Sequence, residues 1–124
     1  MPLSSARIHL TLAALMGLAG VALLAAAAHV SGTANVQIAG QMLLFHASVI
    51  FGATAARKGG YLADLAARIA LSLIILGASL FAADLARRGF ASEALFPRAA
   101  PTGGFMMLGG WLLLALSAVF AQRR

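Results

Sequence analysis

The chain has 124 residues, 62% of them hydrophobic and only 10% charged, with a mean hydropathy of +0.96. A water-soluble globular domain carries roughly a quarter charged residues, so that class is excluded. The net charge of +6 comes without a basic run interleaved with aromatics, which leaves nucleic acid out as a partner, and the absence of cysteine removes disulfides, thiolate metal ligands and cysteine nucleophiles.

Four apolar stretches follow one another: Ile8–Ala28, Val36–Ala56, Leu65–Ala86 and Gly103–Ala121. A helix needs about 20 apolar residues to cross a hydrocarbon core ~30 Å thick. Continuous Ala- and Leu-rich runs without alternation favour helices over strands of a barrel. The expectation is an all-α, four-helix transmembrane bundle, one membrane domain over residues 1–124. In the first stretch, Arg7, an apolar run and Ala25-Ala26-Ala27-Ala28 also fit a cleavable signal peptide. The run exceeds the ~7–15 residues of a signal core, so a retained first helix is expected.

The first connection, His29–Asn35, is polar, and Asn35 is the expected cap of the second helix. The second, Arg57–Asp64, contains Arg-Lys-Gly-Gly, a helix stop and a tight turn. The third, Arg87–Thr102, is the longest and holds Pro97 and Pro101; within it Ser92–Phe96 is expected as an interfacial turn, with Leu95 and Phe96 in lipid. Arg7, Arg57, Lys58, Arg68, Arg123 and Arg124 fall on one side of such a bundle, and Arg87, Arg88 and Arg98 on the other. The positive-inside rule then places both termini in the cytoplasm.

Small residues recur at four-residue spacing: Ala13 and Gly17; Ser48, Gly52 and Ala56; Ala78, Ala82 and Ala86. Such faces let helix backbones approach closely in lipid, and they serve packing within the bundle or docking to a partner. Pro101-Thr102-Gly103-Gly104 opens the fourth helix, and Gly109-Gly110-Trp111 sets a thin patch of backbone beside a large ring.

Among polar residues His46 stands out, about ten residues into the second helix and so ~15 Å below the first connection. A histidine at that depth serves as a hydrogen-bonded strut, a proton or ion relay, or a cofactor ligand. His29, at the outer end of the first helix, is too far in depth from His46 to share a haem iron, and His9 is expected at the opposite interface. No two histidines are spaced i, i+4, so no metal site is expected. Gln37 and Gln41 share a helix face, as interhelical hydrogen-bonding groups or the wall of a polar pocket. Asp84 stands three and four residues before Arg87 and Arg88, ion-pair spacing that suits an interfacial, snorkelling acid; Asp64 and Arg68 repeat the pattern. No Ser–His–Asp set, carboxylate pair or phosphate loop is present, so no enzymatic activity is expected.

Several of these segments carry a resemblance. Ala100-Pro101-Thr102-Gly103-Gly104 followed by Gly109-Gly110-Trp111-Leu112 is similar to a Thr-Pro-x-Gly-Gly…Gly-Trp pattern; Gly77-Ala78-Ser79-Leu80-Phe81, Phe45-His46-Ala47 and Ala28-His29 have counterparts too. On these the chain resembles domain-of-unknown-function family 423, the small membrane proteins related to transmembrane protein 256, over roughly Leu12–Phe120. It departs from the family at Leu43, where a glutamine is usual. The resemblance implies four helices and a bacterial inner-membrane location, and supplies no activity.

The functional expectation is a non-catalytic accessory or structural subunit of a larger membrane complex, or a homo-oligomer, in contact with membrane lipids. The alternative is a small transporter or channel with a polar path near His46. No bound cofactor is expected; contact with a haem or pigment is the weakest of the readings.

Overall fold

Each apolar stretch forms one helix, and the polar residues around it decide where the helix ends. The computed structural model describes residues 4–30 and 33–122. It contains α1 (Ser5–His29), α2 (Ala34–Lys58), α3 (Asp64–Ala91) and α4 (Ala99–Val119), all long and apolar enough to span a membrane. The chain is thus a multi-pass membrane protein built as an all-α four-helix bundle. Ser31 and Gly32 of the first connection, and Arg123 and Arg124 of the charge count, lie outside the described residues.

Ser4 caps α1 by accepting from the Arg7 N–H at 3.2 Å. Thr33, not Asn35, caps α2: its hydroxyl faces the Val36 N–H at 3.5 Å, and Asn35 falls inside the first turn. The third connection is shorter than expected because α3 runs on to Ala91 and α4 begins at Ala99. A helix of 28 residues carries Arg87 and Arg88 within its last turns, where cations suit the negative end of the helix dipole. Ser92 and Arg98, both left-handed at φ 58° and 66°, bracket the reversal between α3 and α4. Leu95 and Phe96 are exposed within it.

α3 is the central helix. It packs on α4 and α2, and lightly on α1, while α1 packs on α2; the backbone of α4 contacts neither α1 nor α2. The core is a cluster of Ala13, Met16, Leu43, Ala47, Ile50, Leu71, Ile74, Ala78 and Met107 with their neighbours. Outward faces are apolar as well, with Leu18, Val21, Phe105 and Leu112 all exposed, which is what lipid as solvent requires.

Two glycine crossings set the closest approaches. A Cβ on Gly20 would meet the Gly40 carbonyl oxygen at 2.9 Å, and one on Gly77 would meet that of Gly103 at 2.7 Å. One crossing holds α1 against α2 and the other α3 against α4. Gly110 lies equally close to Ala70 and Ile74 of α3. Of the other glycines expected at packing faces, Gly17 makes ordinary contact with Ala47 of α2, whereas Gly52 and Gly104 face open space, on sides of their helices turned away from their neighbours. Ser79 is likewise exposed, on a groove between α1 and α3.

Candidate functional site

At the midpoint of α2 a polar bridge joins that helix to α4. His46 lies twelve residues from either end of α2 and is 5% exposed. Its Nδ1 is 2.8 Å from the Met42 carbonyl oxygen, one turn back, and its Nε2 is 3.1 Å from Nε1 of Trp111 on α4. An indole N–H only donates, so Nε2 accepts and the imidazole proton sits on Nδ1, donating to Met42. Both ring nitrogens are therefore occupied, and no lone pair is left for a metal or haem iron. The rings of His46 and Trp111 meet edge to face at 5.9 Å, and Phe45 stacks edge-on against His46 at 5.3 Å. Of the roles open to His46, the geometry realises the strut: a hydrogen bond that spans α2 and α4 where their backbones do not meet.

The other expected polar residues do not join it. Gln37 and Gln41 are exposed on the outer face of α2, because Ala39, Gly40 and Leu43 occupy the face turned inward. They neither reach α1 nor line a pocket with His46. His29 is exposed at the end of α1, remote from the bridge. What surrounds His46 is apolar instead: an open groove of about 430 Å³ bounded by Met42, Phe81, Phe105, Leu108 and Trp111. Below the bridge the α2–α4 groove continues over Gly52, Ala56, Ala115 and Ala118.

Two polar centres lie at the ends of the bundle, both on α3. Asp84 is fully buried rather than snorkelling. One carboxylate oxygen accepts from Arg88 Nε at 2.8 Å and the other from the Leu95 backbone N–H at 2.8 Å, so the acid is enclosed by the connection that folds back over it. Arg87 turns away to Glu93 at 2.9 Å. At the opposite end Arg57 is 7% exposed and donates through Nη1 to Asp64 at 2.6 Å, while Arg68 Nε lies 3.1 Å from the same carboxylate. Arg68 also donates to Ser5 at 3.2 Å, tying α3 to α1.

His9 belongs to this second centre, near the start of α1, and is buried among its neighbours. Ser72 spends its hydroxyl proton on the Arg68 carbonyl at 2.8 Å, so its oxygen accepts from His9 Nε2 at 3.1 Å. The partners are 63 residues apart, and only the seryl hydroxyl one turn beyond Arg68 hints at them in sequence. Among the described residues no group of three or more His, Cys, Asp or Glu is placed to hold a metal ion.

No family model, curated protein or solved structure matches this chain.

Proposed function

We propose that the protein is a non-catalytic accessory subunit, docked by its α2–α4 side against a larger assembly in a bacterial inner membrane, with both termini cytoplasmic. The observation that carries the reading is the division of labour among glycines. Gly20, Gly40, Gly77 and Gly103 hold the bundle together, whereas Gly52 and Gly104, on the α2–α4 side, face open space with nothing within 4 Å of an added Cβ. Helix association in lipid relies on close backbone approach, and bare glycines on an open groove provide it for a helix from outside. The orientation rests on Arg7, Arg57, Lys58 and Arg68 at one end against Arg87, Arg88 and Arg98 at the other. The inner-membrane location rests on the resemblance to family 423.

A transport path has less support, since Gln37 and Gln41 turn away from His46 and the groove beside His46 is lined by apolar residues. The test is gentle extraction from native membranes, native electrophoresis and mass spectrometry of the band. Migration with larger subunits is expected. Recovery solely as a free chain would end the proposal.

A further inference from the structure

The end of the bundle that holds Arg57 is left with unmet hydrogen-bonding atoms. Arg57 Nε and Nη2, Thr54 Oγ1 and His9 Nδ1 are all buried without a partner. Thr54 and Arg57 sit three residues apart on the buried face of α2, and His9 is within electrostatic reach of Arg57 and Arg68. Buried polar atoms are almost always satisfied, by protein, water or a bound group, so several open ones at one level call for an occupant.

The surroundings define its charge. Arg57, Lys58 and Arg68 face one acid, Asp64, so the centre keeps an excess of positive charge. Asp64 satisfies only Nη1 of Arg57 by hydrogen bond. α3 starts here with no side-chain cap, which adds the positive end of a helix dipole. Open pockets flank the centre on two sides. One, of about 630 Å³, is lined by Arg57, Asp64 and Gln122; the other, of about 410 Å³, by Ser5, His9, Arg68 and Ser72.

We infer that this end binds a phosphate group that carries a hydroxyl nearby, with Arg57 donating to its oxygens and Thr54 and His9 meeting the hydroxyl. In the tautomer set by Ser72, His9 Nδ1 is an acceptor, so an oxyanion alone would leave it open and the hydroxyl completes the match. Hydrogenphosphate has this chemistry, and so does the headgroup of phosphatidylglycerol. The centre lies at the ends of α1, α2 and α3, the depth at which lipid headgroups sit.

The experiment is thermal unfolding of the full chain in phosphatidylcholine bilayers, alone, with phosphatidylglycerol added, or with inorganic phosphate at constant ionic strength. A ligand that binds the folded state alone raises the midpoint, on the order of 5 °C near saturation. Protection by phosphatidylglycerol only makes the site a lipid site; protection by inorganic phosphate as well makes it a general phosphate site. In either case Arg57→Gln should abolish the rise, Thr54→Val should weaken the apparent affinity at least threefold, and Arg98→Asn, at the other end, should leave both unchanged. If Arg57→Gln does not fold, Thr54→Val decides. No protection of the parent chain, or undiminished affinity in Thr54→Val, overturns the inference. The measurement uses the isolated chain, so it is independent of whether a larger complex exists.

Discussion

α3 carries the same ion-pair motif twice, Asp64–Arg68 near its start and Asp84–Arg88 near its end, and the two have opposite fates. At the Asp84 end the buried member is the acid, and both its oxygens are satisfied, one by an arginine and one by a backbone N–H. At the Asp64 end the acid is exposed and the buried charge is a base, Arg57, with donors left over. A carboxylate is small enough for one loop to enclose. A guanidinium has five N–H donors in a fixed fork, and one carboxylate cannot meet them all. The first arrangement closes a structure; the second leaves one open to a ligand.

Six substitutions bear on that comparison and on the packing around it. The largest effect is expected from Gly77→Ala, which forces a methyl against the Gly103 carbonyl between two backbones that cannot give way. A loss of about 3 kcal/mol, the upper range for overpacking, should appear in thermal unfolding, and Gly104→Ala should change nothing. Asp84→Asn comes next: it keeps the shape but offers one acceptor to two donors, so one hydrogen bond is lost and the other loses its charge, at a cost of about 2 kcal/mol. A neutral result there would mean the closed end is not held by its acid.

Trp111→Phe should cost about 1 kcal/mol, the range for one interhelical hydrogen bond in a membrane, by leaving His46 Nε2 bare. Trp111 is the single tryptophan, so in the converse variant, His46→Ala, its emission reports loss of the bridge directly. The smallest effect is expected from Arg68→Gln. Its side chain is partly exposed and its ion pair is a surface one, so the unfolding midpoint should not move measurably. A large drop would show that the Asp64 end is as tightly closed as the Asp84 end.

The four helices were legible because each apolar run is long enough to span lipid and is bounded by charges or turn residues. Their ends were less so. Arg87 to Ala91 reads as a connection by charge yet stays helical, since cations are favoured in a last turn. Spacing found the pairing of Asp84 with Arg88 but not its burial, which depends on the Leu95 N–H returning eleven residues later. His46 and Trp111 each stood out alone, but their bond joins positions 65 apart that no local pattern connects. His9 with Ser72 is the same case. Four-residue spacing picked out small residues without telling which face turns inward, and so it pointed to Gly17 and Gly52 where Gly20 and Gly40 make the crossing.

The two glycine crossings bear on how the chain is made. Each joins helices that are neighbours in sequence, α1 with α2 and α3 with α4, across short connections, and α1 and α4 do not touch. The protein is therefore two helical hairpins, each able to close as soon as its second helix has entered the bilayer. What remains is the docking of one hairpin on the other, through α2 on α3 and the side-chain bonds of α1 with α3 and of α2 with α4. A chain severed in the connection between Lys58 and Asp64 therefore retains in each half the contacts that define a hairpin.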